Sequence, residues 1–234
     1  MTETVVIDRR FRGPPEAANG GYASGVLAQR LDGVVEVTLR APVPLETALE
    51  IASDERGLTL GEGDTVLAEA RRAELELKVP DPVSVEEAAA AAQRSRAFEK
   101  HPFPGCFGCG PEREGDDGLR MFPGTIQERS IAACTWTPHE SLADAHGQVP
   151  TEIVWVALDC PTSWGGDLYG EAQPSVLGRL TGEIMSPIEA GAPLIVVAWP
   201  IGGEGRKWEG GTALFTEAGE VKALSRGLWI ELRG

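Results

Sequence analysis

The chain has 234 residues, 42% of them hydrophobic, which is enough for a substantial core in one large domain or two ordinary ones. Its 36 acidic and 21 basic residues give a formal charge of -15, so it has no surplus of cations to displace the counterions of a nucleic acid. Its apolar runs fall short of the roughly 20 residues of a membrane span, and Met1-Thr2-Glu3-Thr4 begins no secretory signal. A cytoplasmic protein with neither a membrane nor a nucleic-acid partner is therefore expected.

In chain order, Val5-Val6-Ile7 reads as a short strand, broken by Phe11-Arg12-Gly13-Pro14-Pro15. Asn19-Gly20-Gly21 leads into a helix from Tyr22 to Leu31, with Val26, Leu27 and Leu31 at helical spacing. Val34 to Ala41 alternates Val35, Val37 and Leu39 with polar residues, the period-2 mark of a strand. Further strands follow at Leu49 to Ser53, Leu58 to Leu60 and Thr65 to Val79, the last two joined by the turn Gly61-Glu62-Gly63-Asp64. The Ala- and Glu-rich stretch after Asp81 predicts a surface helix over about 84–96. Beyond a Pro/Gly/Cys-rich connection, strands are expected at Ser130 to Thr137, Ser175 to Ser186, Leu194 to Ile201, Lys207 to Glu217 and Val221 to Leu232. The division expected is an N-terminal repeat over 1–96, a connection over 97–118 and a C-terminal repeat over 119–234.

Four cysteines in a chain of this length without a secretory signal do not make a disulfide framework. Cys106 and Cys109 form one C-x-x-C with His101 upstream, two good zinc ligands and one doubtful one where a structural site wants four. The reading adopted is a tight glycine-rich turn, Cys106-Phe107-Gly108-Cys109-Gly110-Pro111, and no metal or cofactor. Gly110-Pro111 also argues against the strand-to-helix setting of a redox pair.

The stretch Val149 to Trp164 stands at the centre of the second half. Ile153 to Leu158 is apolar on nearly every face, and a helix with no polar side must be wrapped by other elements. Each half then reads as a helix followed by a run of antiparallel strands, an internal repeat. With Phe11-Arg12-Gly13-Pro14-Pro15, Asn19-Gly20-Gly21-Tyr22, Cys106 to Pro111 with Gly118-Leu119-Arg120, and Val149 to Cys160, the chain resembles the hotdog-fold superfamily of acyl-CoA thioesterases. The resemblance implies an α+β double hotdog, two fused repeats each with a long antiparallel sheet around a central apolar helix. It also implies an acyl-CoA or acyl-carrier thioester as partner and pairing of two copies into a homodimer.

Asp159 is the acid set into that apolar helix, and such an acid is paired, kept neutral by desolvation, or there for chemistry. In the phenylacetyl-CoA type of hotdog thioesterase, a His-Gly-Gly at the helix start polarises the thioester and an acid on the partner helix acts as base or nucleophile. Asn19-Gly20-Gly21 matches the glycine motif with Asn for His, and the same nine-residue offset on the second helix reaches Asp159. The first helix has Ala28 at that offset, so each repeat holds half of one composite site. The resemblance thus assigns Asp159 as base or nucleophile, Gly21 N–H and the Asn19 amide as oxyanion donors, Thr162 or Ser163 as water-orienting, and Gly20, Tyr22, Ser163 and Trp164 as substrate-binding.

Plainer readings stand beside these. Asp159 caps the N–H groups of Thr162 or Ser163, Asn19-Gly20-Gly21 is an N-cap and a turn, and Glu152 serves the helix dipole. His139 and His146 are loop residues, and Trp155, Trp164, Trp199 and Trp208 fill the core or line an acyl pocket. A non-catalytic acyl-binding protein stays open beside the hydrolase. A hotdog hydratase or dehydratase ranks last, because neither helix carries a His.

Overall fold

Alternation of side chains sets the first sheet segments. Leu49 and Ile51 turn inward from a strand whose Ala48, Glu50 and Ala52 are exposed, and Val35 and Val37 do the same from their own strand. The computed structural model describes residues 3–170 and 174–232. In the first half, β1 (Glu3–Val6), α1 (Gly20–Ala28), β2 (Val35–Leu39), β3 (Ala48–Asp54), β4 (Gly57–Glu62) and β5 (Thr65–Arg72) follow one another. After α2 (Val85–Ala92) and the short β6 (Gly124–Ile126), the second half repeats that order. It comprises β7 (Ile131–Trp136), α3 (Thr151–Gly166), β8 (Ser175–Ile184), β9 (Leu194–Glu204), β10 (Lys207–Phe215) and β11 (Val221–Glu231).

All eleven strands form one antiparallel sheet in the order β1-β3-β4-β5-β2-β8-β11-β10-β9-β7-β6. Read outward from the middle, the halves run β2-β5-β4-β3-β1 and β8-β11-β10-β9-β7, with β6 added at the outer edge of the second, and β2 and β8 meet at the seam in the register Val35↔Gly182 to Thr38↔Arg179. The sheet wraps α3, in which every residue from Ile153 to Thr162 is buried, as its lack of a polar face demands.

The continuous apolar run of β9 has a different cause. Leu194 and Val196 pack on the α3 side, while Ile195, Val197 and Trp199 pack on the other under Ala88 and Ala91 of α2. A strand covered on both faces has no reason to alternate. Ser84 accepts the Glu87 N–H and caps α2, which ends at Ala92, earlier than the expected 96. Although it lies within 1–96, α2 packs on strands of the second half.

Two further differences from the sequence reading appear. The strand expected to reach Val79 leaves the sheet after Arg72, and Leu77, Val79 and Val83 go instead to the cluster beneath α2. β6 carries no periodic signal because it is three residues long. Its Gly124 lies so close to the Ala91 carbonyl that any side chain there would collide with it.

α1 and α3 cross at very short range. A Cβ on Gly21 would lie 2.5 Å from the Trp155 carbonyl oxygen and from the Asp159 Cβ, and one on Gly25 would lie 2.4 Å from the Glu152 Cα. Two glycines one helical turn apart give α1 a flat strip on which the α3 backbone rests.

Candidate functional site

This crossing brings Asp159 to the start of α1. Its Oδ2 accepts the Gly21 N–H at 2.8 Å, the residue is 1% exposed, and its Oδ1 has no partner among the described residues. Burial pushes the carboxyl up to about 8, against the Gly21 N–H. The nearby Cys106 pushes it further up and the Asn19 amide pulls it down. Asn19 is the N-cap, its Oδ1 accepting the Tyr22 N–H at 3.0 Å. The Gly20 N–H, in the first turn, has no acceptor among the described residues.

A cavity of about 490 Å³ opens beside these groups, between α1, β2, β8, the end of β11 and the segment around His101. Leu39, Val43, Leu177 and Ile230 make its aliphatic part, and Asn19, Asp159 and Ser163 its polar wall. Of the residues expected at the site, Asn19, Gly20, Asp159, Ser163 and Trp164 border it.

The structure moves the other three. The Gly21 N–H is taken by Asp159 and is not offered to a ligand. Thr162 turns to the sheet: its hydroxyl donates to the Asp159 carbonyl at 2.6 Å and accepts from Trp229 Nε1 at 2.8 Å, and it does not border the cavity. Tyr22 stacks on Phe11 with ring centroids 4.0 Å apart, outside the cavity wall, and burial drives its phenol far above the usual value. The capping reading of Asp159 gives way to a bond between helices, because its carboxylate reaches Gly21 and not Thr162 or Ser163.

His139 and His146 are exposed loop residues away from the cavity. Of the four tryptophans considered, Trp164 alone lines the cavity. Trp155 lies in the core between the helices, and Trp199 lies under α2.

Three of the cysteines form a cluster that their spacing in the sequence does not reveal. Sγ of Cys106 lies 3.8 Å from Sγ of Cys109 and 3.8 Å from Sγ of Cys160, the latter contributed by α3 from 54 residues further on. Asn19 Nδ2 points between two of these sulfurs, 3.5 Å from Cys160 and 3.6 Å from Cys106. His101 Nε2 lies 3.2 Å from Cys109 Sγ, while its Nδ1 accepts the Phe103 N–H at 3.0 Å. Bonds from the Cys109 and Cys160 thiols, with the N–H groups of Cys109 and Gly108, hold the Cys106 thiol well below its usual pKa. The same bonds to Cys106 push Cys109 and Cys160 up, and burial holds His101 down. The expected tight turn is present, closed by the Gly110 N–H on the Cys106 carbonyl, yet it is also one wall of the cavity. The only sequence hint of its partner was Cys160 standing directly after Asp159.

No protein-family model matches the chain, and no curated protein matches it in sequence. Solved structures do match it along its length. A conserved protein of unknown function with hot dog fold from Alicyclobacillus acidocaldarius is 13% identical, with 100% of this chain and 94% of that one covered at a TM-score of 0.63. The tesB protein of Mycobacterium avium subs paratuberculosis is 11% identical over 99% and 93% at 0.63. An acyl-CoA thioesterase II, TesB2, from Mycobacterium marinum is 14% identical over 93% and 90% at 0.58. The chain therefore has the double hotdog fold, as its repeated halves already indicate. No helix among the described residues is long and apolar enough to cross a membrane.

Proposed function

We propose that the chain is a thioester hydrolase acting on an acyl-CoA or acyl-carrier thioester, with Asp159 as the group that drives water onto the carbonyl. The observation that carries this reading is the Oδ1 of Asp159, a buried carboxyl oxygen without a hydrogen-bond partner among the described residues, on a residue that lines an apolar cavity. Leaving such an atom unsatisfied costs about 1–3 kcal/mol, so a structural role alone gives it no return.

The acyl chain lies along Leu39, Val43, Leu177 and Ile230, which brings the thioester carbonyl to the N-terminus of α1. There the Gly20 N–H is the donor for the developing oxyanion, in place of the Gly21 N–H that holds Asp159 and the Asn19 Nδ2 that faces the Cys106 and Cys160 sulfurs. In its ionised form, the fraction that grows as the pH rises through about 8, Asp159 accepts the proton of an attacking water, the C–O bond forms, and the tetrahedral intermediate expels the thiolate, which leaves with that proton as the free thiol. The fold similarity to a protein described as an acyl-CoA thioesterase II supports the substrate class.

The test is free-thiol release from acyl-CoAs of increasing chain length by the wild type and Asp159→Asn. The Asn keeps an oxygen for the Gly21 N–H, so the helix crossing survives. Turnover is expected to fall by about 10²–10⁴-fold, the range for loss of a positioned base. Equal turnover by both would remove Asp159 from the chemistry. No turnover by either, with acyl-CoA still protecting the fold against heat, would make the protein a binder.

A further inference from the structure

We infer that Cys106, Cys109 and Cys160 together bind one soft divalent cation of the zinc class, in the wall of the cavity beside Asn19. All three sulfurs lie within 4.8 Å of one another and all three residues are buried. Zinc–sulfur bonds of about 2.3 Å at tetrahedral angles set ligand sulfurs about 3.8 Å apart. Two of the three pairs here stand at 3.8 Å. A disulfide would need about 2.05 Å, and no pair approaches it.

The surroundings are built for thiolates. The Asn19 amide donates toward both Cys106 and Cys160, and His101 stands against Cys109. Because the His101 Nδ1 already accepts the Phe103 N–H, the imidazole keeps its proton on Nε2 and donates it to the Cys109 sulfur. His101 is thus a partner of the ligand rather than a fourth ligand. Gly108 is needed for the assembly, since a Cβ there would stand 2.5 Å from Cys160 Sγ.

Three protein ligands leave one tetrahedral corner open, the pattern of sites that take a water or a substrate atom. All three cysteines border the cavity, so that corner is filled from it. Binding releases up to three thiol protons to solvent and leaves the three thiolates and the cation at a net charge of -1, which the N–H donors offset. Its functional consequence is to tie the Cys106–Cys109 turn to α3, independently of whether the cavity hydrolyses a thioester.

The test uses the whole chain, purified without chelator, with zinc measured per chain. The reduced, metal-free protein is then titrated with cobalt(II). The expected results are about one zinc per chain, thiolate-to-cobalt charge-transfer bands, and d–d bands of tetrahedral intensity. Cys160→Ser should weaken cobalt binding at least tenfold, whereas Cys134→Ser should not, because Cys134 is buried alone in β7. Should Cys160→Ser fail to fold, chelation of the wild type gives a second reading, a lower melting temperature restored by zinc. Absence of charge-transfer bands from a folded protein with four free thiols would overturn the inference. So would a Cys106–Cys109 disulfide in protein kept under reductant.

Discussion

Thr162 shows at the scale of one residue how a sequence position misleads. It follows Asp159 by three, which placed it beside the chemistry. In the helix, however, its hydroxyl bonds back to the Asp159 carbonyl and accepts the indole N–H of Trp229. Thr162→Val keeps the volume and strands that buried N–H. The expected cost is about 1–3 kcal/mol, read as a lower urea midpoint with unchanged slope. Turnover per folded molecule should be unchanged, and a loss there would return Thr162 to the reaction. Asn19, Gly20 and Asp159 were legible because an N-cap signal and an acid in an apolar run are local features. The three-sulfur cluster was not, since counting ligands by spacing found Cys106 and Cys109 but not a third 54 residues away.

At the scale of elements, the helix crossing decides what Gly21 does. The offset alignment gave Gly21 a donor role, but alignment treats each helix separately and says nothing of the gap between them. With Asp159, Trp155 and Val156 all within 2.8 Å of a Cβ built at Gly21, small size is the requirement there. Gly21→Ala and Gly25→Ala set two effects against each other. Alanine favours a helix interior by about 1 kcal/mol, whereas overpacking costs about 1–3 kcal/mol. Overpacking should win, because the atoms in the way are backbone and Cβ atoms of α3, which no change of rotamer moves. Both variants are expected to melt below the wild type, and a higher melting temperature would show that the helices can part. Strands were legible from their period of two, and α3 from its lack of a polar face. β6 and the end of β5 were not, since three residues carry no period and the residues after Arg72 remain apolar enough to read as strand while packing elsewhere.

At the scale of the molecule, the repeat raises the question of whether the two halves are separable. The sheet crosses the seam by the β2–β8 ladder, reinforced by Arg179 reaching Thr38 at 3.2 Å and Glu36 at 3.8 Å. That half-buried network at the sheet surface adds little by itself. The cores are more telling. Trp155 of α3 belongs to the cluster built otherwise from the first half and the β8 and β11 strands, while Phe11 and Tyr22 of the first half pack onto the cluster of the second. Removing either half would expose the flat strip of one helix and the buried carboxylate of the other. Both halves are therefore expected to unfold together, in one calorimetric transition whose van't Hoff and calorimetric enthalpies agree. Two resolved transitions would mean that each sheet half closes its own core, and that the contact between Gly21 and Asp159 is a docking surface between two independent units.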